Sequence, residues 1–374
     1  MKILVLADDD FYSRWLTVTL ASAGHRVCIM VPKTSRRVRL SRHCRDSASC
    51  DSRALRSQDG ALVERVAAYC REHRVEWVVP ADLPAILLLA RRSPDLGGAR
   101  VFPLSEPDLI ERLNDKWRLY LLLRELGFPA PNSRLLKSRE EARSATLEFP
   151  LMIKPLRGEG GRGVQRVGSP SELSGLLDAF GAQFGWPCLV QDFIPGRDID
   201  LSVLADRGRV VAWTIQQRLP EAPDVVEFLE HPGVLKLGSD LVAACRFHGV
   251  IHFDMRIDER TNQTLLIEAN PRFWGSLRHS VWSGVNFPAL GIAMGAGQDV
   301  SRLFRPVSGP CRDPGLSVRP LLSALLRGRL RPERWSLATE AAWRCHLSDP
   351  IPELWHRLQG RNRVPGNAAA LRAE

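Results

Sequence analysis

Asp254, Glu268 and Asn270 are the residues of this chain best suited to hold a divalent cation. Asp254 closes the apolar segment VIHFD (250–254), while Glu268 and Asn270 stand two apart in LLIEAN (265–270), so they share one face of a strand. If the two strands pair, three oxygen donors converge. Magnesium favours such hard donors in octahedral geometry and commonly shares them with substrate phosphates. Arg272, two residues further, points to the same side. Singly, each carboxylate also suits the exposed end of an ordinary hairpin; the apolar flanks argue for a site. A second stretch, FPLMIKPLRGEGGRGV (149–164), sets Lys154 at the end of an apolar strand before Gly158, Gly160, Gly161 and Gly163. Glycines permit tight turns whose N–H groups can cradle phosphate oxygens, and a strand-fixed lysine adds a cation. No GK[ST] follows, so this is not a Walker loop, and alone it also suits a plain hairpin tip. A third, CLVQDFIPGRDIDLSV (188–203), runs a strand into a hinge and then acids: a strand edge can read an adenine ring, and Asp198 or Asp200 can accept from ribose hydroxyls. The fourth is NDK (114–116), whose Lys116 equally suits a surface position near a helix start.

The elements that must position these residues follow from periodicity. Residues 2–7 form an apolar strand, 11–23 a helix and 26–31 a second strand, a βαβ opening. The turn after the first strand is Asp8, Asp9, Asp10, without the glycines that let a backbone approach a pyrophosphate, so this Rossmann-like lobe is not expected to hold NAD. Residues 36–59, rich in Arg, Ser and Asp, suggest a long surface loop. Helices over 61–71 and 83–90 alternate with strands over 75–79 and 100–103. A capping box at 105–108 opens a helix, and Leu119, Leu122, Leu123 and Leu126 continue helical spacing up to Gly127. From 151 onward short strands dominate, with helices around 171–180 and 239–247. Beyond about residue 300 the strands are expected to end, leaving short helices such as PLLSALLRGRL (320–330) and ELWHRLQGR (353–361).

A chain of 374 residues, 44% hydrophobic and 25% charged, has room for two or three packed lobes. No apolar run approaches the ~18 residues of a membrane span, and MKILVLADDD reads as a first strand rather than a signal peptide. The eight cysteines form no CxxC pair and none has a histidine at zinc-finger spacing, which points to reduced, unreactive thiols in a cytoplasm. Of the net +10, most lies in the last 74 residues, where 13 Arg face 6 acids; the body is nearly neutral, and no nucleic acid is expected as a partner. His231, His248, His252 and His279 flank the candidate site, but ordinary structural roles suit each better.

In order and spacing, the four stretches resemble the ATP-grasp superfamily, especially its carboxylate-amine ligases. The resemblance spans roughly 105–290: DK at 115–116, KP at 154–155, the glycine loop to Gly163, VQDFIPGRD at 190–198, FD at 253–254 and IEANPRFWGS at 267–276. It implies α/β and α+β architecture: a Rossmann-like lobe (1–104), a two-subdomain ATP-grasp domain (105–300) and a short, basic, helical C-terminal region (301–374). It further implies ATP and Mg²⁺ as cofactors, with Lys116 and Lys154 on the phosphates, the loop Gly158 to Gly163 as a lid, and Gln191, Asp192, Phe193 and Ile194 as the adenine hinge. Asp198 would meet the ribose, Asp254, Glu268 and Asn270 the metal, and Arg272 and Lys154 the transferring phosphoryl group. The sequence departs from the family at Gln191, where Glu is common, and at Asp198, one methylene shorter than the usual Glu. The implied reaction joins a small-molecule carboxylate to an amine through an acyl phosphate, in a chain that could form a homodimer. A phosphotransferase on the same fold, or a non-catalytic nucleotide-binding module, are the alternatives.

Overall fold

The computed structural model describes residues 1–92, 96–158, 160–219, 222–316, 322, 326, 328 and 336–358. They fall into two compact units: one of Met1–Ile110, Asp200–His252 and the described part of Asn270–Arg361, the other of Glu111–Ile199 and Phe253–Ala269.

In the first unit, strands β1 (Lys2–Leu6), β2 (Arg26–Pro32), β3 (Cys44–Cys50), β4 (Trp77–Pro80) and β5 (Arg100–Val101) form a parallel sheet in the order β3-β2-β1-β4-β5. Its central strands are apolar at nearly every position because both faces are covered. Ile3 and Val5 join one core with Leu16 and Leu20 of the helix Asp10–Ser22; Leu4 and Leu6 join another with Val63 and Val66 of the helix Gly60–His73. The expected surface loop over 36–59 is instead a helix (Arg36–Arg39), strand β3 and a helix (Ser52–Ser57). Strand β3 is a sheet edge whose side chains need not be apolar, and the Asp10 carboxylate accepts the N–H groups of Arg37 and Val38, both at 3.1 Å, a tertiary cap with no local signature.

The strand order reverses between β1 and β4, the crevice where such sheets usually bind ligands. Here the buried Asp82 carboxylate fills that position: one oxygen accepts from Asp8 N at 2.7 Å and Asp9 N at 2.8 Å, the other from Ala85 N at 3.2 Å. A side chain thus takes the amides that would otherwise face a pyrophosphate. Burial pushes the Asp82 carboxyl up to about 7. A folded-state value above the unfolded one means that its stabilising contribution is complete below about pH 4 and is lost as pH rises through 7, roughly 4 kcal/mol in all. Asp82→Asn should therefore flatten the pH dependence of unfolding free energy between pH 4 and 7, measured by denaturant titration. Parallel wild-type and variant curves would show that Asp82 does not hold its proton.

The second unit carries an antiparallel sheet of β6 (Ser133–Leu136), β7 (Leu151–Pro155), β8 (Gln165–Val167) and β9 (Cys188–Asp192), in the order β6-β9-β7-β8. The helix Pro170–Phe184 covers it through Leu173, Leu177 and Phe180, packed against Leu151, Ile153, Val167 and Val190. A six-stranded sheet follows from β10 (Gly196–Asp206), β11 (Arg209–Leu219), β12 (Ala222–Leu229), β13 (Gly249–Asp258), β14 (Thr264–Asn270) and β15 (Gly309–Arg312), in the order β14-β13-β10-β11-β12-β15. Unit boundaries fall inside β10, β13 and β14. Strand β15 corrects the expectation that strands end near residue 300; four residues with a proline are too short to announce an edge strand.

The C-terminal helices Leu337–Ser348 and Ile351–Leu358 pack within the first unit. Glu353 pairs with the buried Arg14 at 3.2 Å and with Arg37 at 2.6 Å, Asp349 accepts from Ser41 Oγ at 2.6 Å, and His346 meets Asp313 at 2.7 Å. Most of the candidate helix at 320–330 lies outside the described residues. Among the described residues no helix is long and apolar enough to cross a membrane.

Candidate active site

In the second unit, Asp115 accepts from Trp117 N and Arg118 N, both at 3.1 Å, and so caps the helix Lys116–Glu125. Lys116 N donates to Leu156 O at 3.1 Å, which ties the start of that helix to the residue after β7 and brings it beside the strand that carries Lys154. Lys116 is buried, and its ammonium lies 3.2 Å from a Glu268 oxygen. Lys154 is also buried; its Nζ donates to Gln191 Oε1 at 2.6 Å, and Gln191 Nε2 donates to Ser133 Oγ at 3.0 Å. The ladder explains the pairing: Lys154 sits opposite Leu189, so Gln191 lies two positions along β9 on the same face.

Burial is the largest influence on Lys154 and pulls its ammonium down to about 8; nearby Lys116 acts in the same direction, while Glu268, Asp254 and Asp198 oppose it. Two buried ammoniums and two carboxylates therefore share one electrostatic environment. Asp254 does not close its strand, as the sequence suggested, but lies in the interior of β13, which continues to Asp258.

Gly158, Gly160, Gly161 and Gly163 all have positive φ. At Gly163 glycine is required twice over: φ is +76°, and a Cβ would come within 2.9 Å of the Phe184 ring. The hinge after β9 is held by Arg256, which sequence reasoning did not single out. Its guanidinium donates to Ile194 O and to Gly196 O, pairs with Asp198, and lies over Phe193, whose ring Arg166 also approaches at 4.5 Å. Asp198 is thus exposed and already paired, and Asp192 accepts from Asn132 Nδ2 at 3.1 Å. Arg256 stands two residues beyond Asp254, and strand alternation was the only signal that could have marked it.

In the first unit, Asn270 and Arg272 are buried together. Arg272 Nη2 donates to Asn270 Oδ1 at 3.0 Å, and Nη1 to Phe273 O at 2.9 Å and Tyr12 Oη at 3.0 Å. The flanking histidines have structural partners: His231 caps the helix Pro232–Ala244, His248 lies 3.4 Å from Asp206, and His252 bonds Ser202 and stacks on Trp274. Burial pushes His279 down to about 3. Burial likewise raises the thiols, to about 12 at Cys50, Cys188 and Cys311, which leaves them protonated near neutrality.

Two family models match the chain: one described as ATP-grasp in the biosynthetic pathway with Ter operon, over residues 186–311, and the RimK-like ATP-grasp domain, over residues 113–221. The arginine-specific large chain of carbamoyl phosphate synthase from Bacillus subtilis is 25% identical over 178 residues, 44% of this chain and 17% of that one. The vancomycin B-type resistance protein VanB of Enterococcus faecalis is 25% identical over 103 residues, 28% of this chain and 30% of that one. This chain thus spans well under half the length of either relative. Among solved structures, L-amino acid ligase from Bacillus licheniformis superposes with a TM-score of 0.61 at 16% identity, covering 78% of this chain and 73% of that one. The ADP complex of N5-carboxyaminoimidazole synthetase from Staphylococcus aureus gives 0.63 at 12% identity, covering 87% and 86%. At these identities the likeness is one of fold.

Proposed function

Because the chain belongs to the ATP-grasp superfamily, we propose that it is an ATP-dependent carboxylate-amine ligase, forming an amide through an acyl phosphate and releasing ADP and phosphate. The observation that carries this reading is the buried pair Lys116 and Lys154 beside Glu268. Burying two ammoniums together is unfavourable, and a polyphosphate is the ligand chemistry that offsets it.

In this reading Lys116 and Lys154 bind the phosphates of ATP, and Gln191 and Ser133 hold Lys154 in place. The glycine loop Gly158 to Gly163 closes over those phosphates, and the backbone from Gln191 to Ile194, steadied by Arg256, presents its polar edge to the adenine. Asp198 reaches the ribose only by sharing or yielding Arg256. Asp254, Glu268 and Asn270 are all oxygen donors, two of them anionic, a set that fits Mg²⁺. When bound, Mg²⁺ supplies charge neutralisation at the phosphates. The substrate carboxylate oxygen attacks the γ-phosphorus and the bond to ADP breaks. The amine nitrogen then attacks the acyl carbon, phosphate leaves, and the nitrogen gives up its proton. Arg272 offsets the charge that develops on the phosphoryl oxygens.

Hydroxylamine tests the reaction type, because it intercepts an acyl phosphate as a hydroxamate. With ATP, Mg²⁺ and a pool of carboxylates, the chain should release ADP and yield hydroxamate from the accepted acid. Substrate-dependent ADP with a stable phosphorylated product and no hydroxamate would establish a phosphotransferase instead. Nucleotide-dependent stabilisation without ADP from any pool would establish a passive binder.

A further inference from the structure

We infer that Tyr12, in the first turn of the helix Asp10–Ser22, is a positioning residue for Arg272, fixing the plane in which that guanidinium meets the transferring phosphoryl group; the inference rests on the ligase reading above. Arginine is long and rotamer-rich, so an arginine that must face a developing charge needs its fork held at both terminal nitrogens. Arg272 Nη2 is held by Asn270 Oδ1 at 3.0 Å. Nη1 is held by Phe273 O at 2.9 Å and by Tyr12 Oη at 3.0 Å, with the guanidinium carbon 5.4 Å from the Tyr12 ring centroid. Asn270 and Phe273 are near neighbours in sequence and move with Arg272. Tyr12 stands 260 positions away and alone among these three acceptors refers the arginine to the opening lobe.

Tyr12 is itself well placed to act as a fixed point. Its N–H donates to the Asp9 cap at 3.0 Å, its ring meets Phe11 edge-on at 5.6 Å, and its helix is buried along Trp15, Leu16 and Leu20. A second arginine, from the helix Leu277–Trp282, packs against the same helix and gives a contrast. Arg278 lies over Phe11 at 5.6 Å and Trp15 at 5.0 Å but is anchored by Asp313 at 2.8 Å, so a carboxylate rather than a helix residue sets its orientation. At Arg272 the corresponding hold from this helix is a neutral phenol oxygen, which fixes direction while leaving the positive charge intact.

Tyr12→Phe removes that oxygen and leaves the ring over the guanidinium. In the full chain, with ATP, Mg²⁺ and the carboxylate that gives hydroxamate, Tyr12→Phe should lower kcat about tenfold, the scale of a small misplacement at a reacting centre. The KM for ATP and the thermal midpoint should stay at wild-type values. In an Arg272→Lys background, where the fork is gone, Tyr12→Phe should cause no further loss. Wild-type kcat in Tyr12→Phe, a loss confined to KM or to the midpoint, or losses that multiply in the double variant would each overturn the inference while leaving the ligase reading standing. A wild-type chain that gives no hydroxamate from any carboxylate would overturn the ligase reading, and this inference with it.

Discussion

Lys154→Met is expected to weaken nucleotide binding strongly while leaving the folded chain at least as stable as the wild type. The two effects separate because Lys154 is a buried cation that donates to Gln191, a neutral acceptor. Its ammonium stands near 8 in the folded state, below the ordinary lysine value, with burial as the main cause. Lowering a lysine in this way means that its charged form destabilises the fold at neutral pH, by roughly 3 kcal/mol, and that stability recovers as pH rises from about 8 towards 10.5. Methionine occupies similar volume without that cost. On the proposed reading affinity should behave oppositely, since a polyphosphate would lose one of two buried cations, and a fall of about 100-fold or more in ATP affinity is expected. Titration calorimetry and thermal unfolding on the same samples read both quantities. Undiminished ATP binding would remove Lys154 from the phosphate site; lost binding with a collapsed midpoint would mean that the lysine supports the fold.

On the proposed ligase reading, Glu268→Gln should reduce kcat/KM about 1,000-fold or more, because it would withdraw a negative donor from the place assigned to the metal and the phosphoryl group. The same substitution strips the buried Lys116 of its counter-charge at 3.2 Å, so some loss of stability accompanies it. The double variant Lys116→Met/Glu268→Gln distinguishes the contributions: it should regain the thermal midpoint and remain inactive. Wild-type turnover in Glu268→Gln would take this carboxylate out of the site. Recovery of activity in the double variant would mean that Glu268 matters only as the counter-charge of Lys116.

Much of this architecture was legible in the residues. The opening lobe's strands are short apolar runs separated by helical spacing, and β7, β9, β10, β11, β13 and β14 stand where β-rich runs lie between turn residues. The elements that escaped notice have weak local signals for physical reasons. Strand β3 reads CRDSASC, polar because an edge strand need not bury both faces; β6 has four residues; β15 owes its pairing to β12 rather than to its own composition. The candidate site divides in the same way. Lys116, Lys154, Glu268 and Asp254 were marked by residue type and position and Gln191 by the hinge stretch, whereas Ser133, Arg256 and Tyr12, which hold Gln191, the hinge and Arg272, carry no distinctive spacing.

The order of elements, the apolar faces and the identity of the charged groups are properties of the chain read locally, since periodicity and side-chain chemistry act over a few residues. Folding alone decided what those charges experience. The depressed ammonium of Lys154 and the raised carboxyl of Asp82 arise from burial, and the clamp on Arg272 from a partner 260 positions away. Desolvation and hydrogen-bond geometry depend on distance in space, and linear sequence does not record that distance.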